Sequence, residues 1–374
     1  MNFDFSDEQK QLRDQARRFL ADKCPPSAVR AVLEGDQSYD RALWIELGEL
    51  GFLGAAIPEE YGGVGLGHLE LCVIAEELGR ALAPVPVASS IYLAAEFLMA
   101  AGSEAQRQAW LPKLASGEVI GTFAYGEGLG RVTETSIKTT VSGGKLSGTK
   151  TPVADGEIAD LAVVAAREGG EVSLWLVDLT GPGVTRETLE TIDPTRGQAT
   201  LTFKDAPAEL LGVAGDGWRL AAEVMDRAAI LLAFEQVGGS DRALEMGRDY
   251  ALDRMAFGRP IGSFQAVKHM LADMYVSATL ARSNAYYGAW ALSTGSAELP
   301  VAAATARVSA TQAFQHCAKN NIQVHGGMGF TWAFDCHLIY RRSNGLALAL
   351  GSQSTWEDLL IDRLRQRNDA PAAA

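Results

Sequence analysis

The chain is poor in groups that cross-link or hold metals. It has 4 cysteines and 5 histidines among 374 residues, and Cys24, Cys72, Cys317 and Cys336 show no paired spacing. That argues against a disulfide framework and for reduced thiols in a cytoplasmic setting. The adjacent pairs His316-Cys317 and Cys336-His337 point in different directions on a helix and lack the CxxC or HxxxH partner of a metal site. Apolar runs are short; the longest, such as Ala228 to Phe234, cannot span a bilayer. Positive charge is scarce too. The 33 Lys and Arg stand against 46 Asp and Glu, for a formal charge of −13, which lacks the basic footprint of a nucleic-acid binder. Met1-Asn2-Phe3-Asp4-Phe5 starts acidic rather than as a signal peptide, so secretion is not expected.

What the chain does have is enough apolar residue, 47%, to build a large core, and a length that predicts more than one domain. The patterning is mainly α with an inserted β domain, divided at 1–118, 119–213 and 214–374. In the first part Ser6 and Gln9 form a capping box ahead of Leu12, Ala16, Phe19 and Leu20, which share a helical face. Pro25-Pro26 ends that helix. Ile57 to Gly67 reads as a glycine-rich loop, with helix resuming at His68; its spacing does not fit GxGxxG, and a plain connection outweighs a phosphate cradle. In the second part Gly143-Gly144 marks a hairpin between Thr139-Thr140-Val141 and Lys145-Leu146. Leu161–Val164 and Val172–Val177 are short apolar strands, and Thr200–Phe203 alternates as a half-buried strand does. Long helical patterns return after Asp216 and give way to a disordered Ala-Pro-rich tail after Asn368.

Two runs carry the functional signal. One is Asp253-Arg254-Met255-Ala256-Phe257-Gly258-Arg259-Pro260-Ile261-Gly262-Ser263-Phe264-Gln265. The other is Gln323-Val324-His325-Gly326-Gly327-Met328-Gly329-Phe330-Thr331. Taken singly, the first is a helix connection with Gly258, Pro260 and Gly262 as breakers, and Gly326-Gly327 is a helix C-cap. As a set they resemble the two C-terminal signatures of the acyl-CoA dehydrogenase family, flavoenzymes that desaturate acyl-CoA thioesters at Cα–Cβ. The resemblance runs along nearly the whole chain. It implies an N-terminal helical domain, a central β-barrel-like domain and a C-terminal four-helix bundle. It also implies FAD bound at a subunit interface, with Arg254, Phe257, Gln265 and Gln323 reaching a neighbour's cofactor and Gly327 admitting its close approach. Ser352 joins these cofactor-binding positions. An acyl-CoA substrate, an electron-transfer flavoprotein as acceptor, and a homotetramer or α2β2 heterotetramer follow from the same resemblance. The acidic net charge does not oppose CoA, whose phosphates need only a few local cations.

The chain departs from that family at the base. The usual catalytic Glu is replaced, counting from Gly326, by Leu350 within Ala349-Leu350-Gly351-Ser352. Leucine takes no proton, but its backbone N–H can still bind the thioester oxygen. Some relatives carry the base on an earlier helix just before an Arg, and the matching pair here is Asp226-Arg227. Asp226 shares a face with Ala229, Ile230, Ala233 and Val237, and an apolar setting raises a carboxylate's pKa unless it is paired. The alternative is a structural Asp paired to a neighbouring cation. In the β domain, Pro152-Val153-Ala154 stands for the family's Trp-x-Thr and Gly126-Glu127-Gly128 for its Thr-Glu-Pro, leaving backbone contacts from Ala124, Tyr125 and Gly126. Three readings follow: a dehydrogenase with Asp226 as base and Arg227 in support, a weakly catalytic partner subunit of an α2β2 enzyme, or a flavin-free scaffold or acyl-CoA-binding protein. An oxidase that passes electrons to O₂ is a further enzyme possibility.

Overall fold

Helix α1 (Asp7–Lys23) starts where its cap dictates. Ser6 Oγ accepts from the Gln9 N–H, and the Gln9 side chain accepts from the Ser6 N–H at 2.9 Å, the reciprocal capping box the sequence predicts. Ala16 and Leu20 form its buried stripe. The chain then passes Pro25, and α2 (Pro26–Glu34) begins on Pro26, where a missing N–H leaves no helical bond unmade. The computed structural model describes residues 5–369. The acidic start up to Asp4 and the expected disordered tail from Ala370 therefore lie outside the described residues, while Asp369 still belongs to the last helix.

After α3 (Arg41–Glu49) and α4 (His68–Ala81), residues Ala88–Ala95 wind as a π-helix that runs into α5 (Glu96–Ala101), and α6 (Glu104–Ser116) follows. Eight strands come next: β1 (Gly121–Ala124), β2 (Thr140–Ser142), β3 (Lys145–Ala154), β4 (Leu161–Glu168), β5 (Glu171–Asp178), β6 (Val184–Leu189), β7 (Gln198–Pro207) and β8 (Glu209–Leu211). They form one sheet in the order β6-β7-β3-β2-β4-β5-β8, with β1 pairing in parallel to β4. Gly143 and Gly144 have φ of 56° and 72°, the left-handed pair that a two-residue hairpin turn between β2 and β3 requires. The inner residues of β4 and β5 are buried on both faces, whereas β7 alternates. The second helical part contains α7 (Gly217–Asp253), a small hairpin of β9 (Met255–Ala256) and β10 (Arg259–Pro260), then α8 (Gln265–Ser293), α9 (Leu299–His325), α10 (Cys336–Leu348) and α11 (Gln353–Asp369). Helical segments thus flank a central β-sheet, as the patterning predicts.

The chain packs as two units. One comprises Met1–Ala31, Cys72–Ala83 and Ala229–Ala374. In it α8 and α9 pack together through buried small residues, among them Ala281, Ala285, Ala303, Ala306 and Ala310. Its interior also holds a charge cluster in which Arg282 donates to both carboxylate oxygens of Glu76 at 2.9 Å. The other unit comprises Val32–Leu71 and Pro84–Ala228 and contains the sheet. There Phe97 of α5 packs on Phe123 of β1 with ring centroids 4.6 Å apart.

Candidate active site

The Arg254 run is a helix connection, between α7 and α8. Arg254 directly follows α7, and Arg254, Phe257 and Gln265 are all exposed. Phe257 is 95% exposed, and its φ of 52° is one that a bulky residue adopts only when its surroundings hold it there. Tyr250, one turn before Arg254, stacks on His325 at a centroid distance of 4.1 Å, and Phe334 meets both rings edge-on at 5.9 and 5.7 Å. This three-ring stack joins the end of α7 to the end of α9. It brings the Arg254 run and the Gln323–Gly327 run together on the helical unit.

Gly326 caps α9 with φ 59°, as its C-cap reading predicts. Gly327 is exposed, and a Cβ placed there would meet nothing within 4 Å. Gln323 is exposed beside it, and Phe330 is 85% exposed. The surface therefore offers a guanidinium, unburied aromatic rings, two side-chain amides and an open stretch of backbone. A dinucleotide with an anionic pyrophosphate and flat rings fits that set. Ser352 lies at the start of α11, where its Oγ accepts from the Thr355 N–H at 3.3 Å.

Leu350 sits in a constrained turn. After α10 ends, Ala349 is extended and Leu350 takes φ 60°, a conformation that costs a non-glycine residue about 1–3 kcal/mol. Three bonds hold it. Trp356 Nε1 donates to the Leu350 carbonyl at 3.0 Å, Arg307 Nη2 donates to the Ala349 carbonyl at 2.6 Å, and the same nitrogen donates to the Leu346 carbonyl. Arg307 Nη1 is itself fixed by Gln236 Oε1 at 2.6 Å. Among the described residues no backbone or side-chain group accepts from the Leu350 N–H.

Asp226 lies on α7 and is 4% exposed, and Ala229, Ile230, Ala233 and Val237 on the same face are fully buried. Arg227 points elsewhere, as adjacent helical residues do. Its Nη1 reaches Glu96 Oε2 at 3.3 Å, and His68 Nε2 lies 2.6 Å from Glu96 Oε1. Glu96 is fully buried, while the side chains of His68 and Arg227 are 23% and 30% exposed. Burial alone would raise the Glu96 pKa, but the charges and hydrogen bonds of His68 and Arg227 outweigh it and hold the carboxyl below its ordinary value. Burial alone would lower the His68 pKa, and the Glu96 charge and hydrogen bond overcome it, leaving it raised. The sequence reading missed Glu96 and His68. A carboxylate inside the apolar stretch Ile91–Met99 was the signal that could have found the first of them.

In the sheet unit, the segment from Tyr125 to Glu127 is tied to β3. Thr151 N–H donates to the Gly126 carbonyl at 2.9 Å, and the buried Lys150 Nζ donates to the Tyr125 carbonyl at 3.2 Å and to Glu127 Oε1 at 2.7 Å. Burial pushes the Lys150 pKa down to about 8 against the opposing pull of Glu127. The Ile57–Gly67 loop is turned on itself. Gly63, Val64, Gly65, Leu66 and Gly67 all donate to carbonyls of Gly54, Ala55, Ile57 and Pro58, which leaves no amide cradle for phosphate.

Comparison with known proteins shows the family. Residues 6–118 match the acyl-CoA dehydrogenase N-terminal domain, and residues 215–364 match the acyl-CoA dehydrogenase C-terminal domain. The chain belongs to the acyl-CoA dehydrogenase family. It is an oxidoreductase, and FAD is the cofactor of this family. The acyl-CoA dehydrogenase IpdE2 of Mycobacterium tuberculosis is 35% identical, over 92% of this chain and 94% of that protein. The ChsE4-ChsE5 complex from Mycobacterium tuberculosis contains a chain of TM-score 0.89 and 29% identity, covering 100% of both chains. A variant of the Tcur3481-Tcur3483 steroid ACAD gives TM-score 0.88 and 31% identity, over 97% of this chain and 99% of that one. Among the described residues of this dehydrogenase, no helix is long and apolar enough to cross a membrane.

Proposed function

We propose that the chain desaturates an acyl-CoA thioester between Cα and Cβ. The observation that supports this best is the Leu350 turn. A strained backbone, fixed on its carbonyl side by Arg307 and Trp356, keeps an N–H unengaged at the family's catalytic position. That N–H is the donor for the thioester oxygen as negative charge gathers on it. Leu350 contributes no proton transfer. Asp226 is the base that removes the Cα proton, from a buried position on α7 at the family's alternative base position. When bound, FAD supplies the acceptor for the hydride leaving Cβ, and an electron-transfer flavoprotein then takes the electrons onward. Arg254, Phe257, Gln265, Gln323 and Gly327 hold the FAD of a neighbouring subunit, and Ser352 contributes at the start of α11. Arg227 supports Asp226 only by its place beside it on α7, since its guanidinium binds Glu96.

A second reading rests on the β-domain departures at Pro152-Val153-Ala154 and Gly126-Glu127-Gly128 and on Leu350 itself. In it the chain is the weakly catalytic member of an α2β2 pair acting on a bulky acyl-CoA, steroid-derived acyl-CoAs included. One experiment separates the two. The chain is purified alone and co-expressed with the product of the neighbouring gene, and anaerobic flavin bleaching is followed with straight, branched, aromatic and steroid acyl-CoAs. Bleaching by the chain alone supports the first reading, and bleaching only in the co-expressed assembly supports the second.

A further inference from the structure

Arg307 brings a buried cation to carbonyls at the end of α10. It is 1% exposed, and removing a guanidinium from water costs several kcal/mol. Its acceptors include the Gln236 side-chain oxygen and two main-chain carbonyls at the end of α10, those of Leu346 and Ala349. The Ala349 carbonyl and the Leu350 N–H belong to the same peptide unit. Density drawn toward a cation at the oxygen leaves the N–H more positive, and hydrogen bonds chained through one amide reinforce each other. The helix terminus adds a second effect. The last carbonyls of α10 carry partial negative charge, which would oppose an anionic oxygen held beside them. A desolvated guanidinium on those carbonyls offsets that field with little solvent screening.

We propose that Arg307 is the positioning residue of the thioester site: it orients and polarises the Ala349–Leu350 peptide so that the Leu350 N–H binds the enolate-like oxygen more tightly than the ground-state carbonyl. This rests on the dehydrogenase reading above and adds a residue and a charge to it. Arg307 touches neither substrate nor cofactor in this scheme, so its signature is in the bound thioester and not in affinity.

The test uses the purified assembly and an acyl-CoA labelled with ¹³C at the thioester carbonyl, chosen as the fastest of the bleaching panel. Isotope-edited infrared spectra give the carbonyl band of the bound thioester. In the wild type it falls below its position in water. Arg307→Gln moves the band back toward that position and slows flavin bleaching about tenfold, less than the roughly 10²–10³-fold of deleting an oxyanion donor outright, with KM little changed. Arg307→Lys keeps the charge and keeps the band shifted. A folded Arg307→Gln protein with the wild-type band overturns the inference. Should that variant fail to fold, Arg307→Lys decides, since a band returned to its free position shows that charge is not what polarises the peptide. Failure of the underlying reading looks different: the wild-type band is unshifted and its flavin does not bleach.

Discussion

His68 Nε2 lies 2.6 Å from Glu96 Oε1, and the other oxygen of the same buried carboxylate takes Arg227 at 3.3 Å. One carboxylate thus serves a titrating cation and a permanent one. The π-helix Ala88–Ala95 ends immediately before Glu96, and such windings recur at functional positions.

A pH dependence of stability follows from the directions of the two shifts. The His68 pKa is raised in the folded state, so its contribution is fully present below the ordinary histidine value near 6.5 and is lost as pH rises through the higher folded value. The Glu96 pKa is lowered, so its contribution is present above the ordinary glutamate value and is lost only as pH falls through the folded one. Urea midpoints should therefore decline as pH rises above the ordinary histidine value of about 6.5 in the wild type and flatten there in His68→Gln. Glu96→Gln should lose about 1–3 kcal/mol at neutral pH in the same titration.

Arg254→Ala should weaken FAD retention. A charge-assisted contact to pyrophosphate is worth roughly 1.5–3 kcal/mol, about ten- to hundredfold in affinity. Flavin per chain after gel filtration reads this directly, and equal flavin content in mutant and wild type would remove Arg254 from the cofactor site. Because the proposed site is completed by a neighbour, wild-type flavin content should also fall on dilution.

Much of the framework was legible in the chain because its signals are local. Ser6 and Gln9, Pro25-Pro26, Gly143-Gly144 and the alternation at Thr200–Phe203 each act within a few residues, and each element begins or turns where they place it. The site was legible only where its residues follow in runs, as with Arg254 to Gln265. His68, Glu96 and Arg227 meet through folding across distant segments, and no spacing rule joins them. Arg307 was hidden for a related reason: in an alanine-rich helix it reads as an exposed charge, and only its burial under the end of α10 shows otherwise. The Lys150 contacts were not legible because the sequence does not show that Lys150 folds inward onto Tyr125 and Glu127.

Leu350→Ala tests the division between backbone and side chain at the catalytic position. The side chain is almost buried, so truncation should lower stability by about 2–4 kcal/mol. The N–H survives, and flavin bleaching should slow by far less than the 10²–10⁴-fold of losing a base. Loss of turnover in a folded, flavin-replete variant would show that the leucine side chain itself shapes the reacting geometry.

Asp226→Asn decides whether this chain does its own chemistry. The substitution keeps the size of the side chain and most of its hydrogen bonding, and removes only its ability to take a proton. Its buried setting on α7 means that an asparagine is accommodated without a new exposed face. If Asp226 is the base, rapid mixing with the fastest acyl-CoA should show flavin bleaching slowed by about 10²-fold or more, with substrate binding largely retained. A mutant that bleaches its flavin at the wild-type rate assigns the proton to another group. The mechanism then passes to a partner subunit that carries its own glutamate, with this chain contributing its Arg254 surface to the partner's FAD.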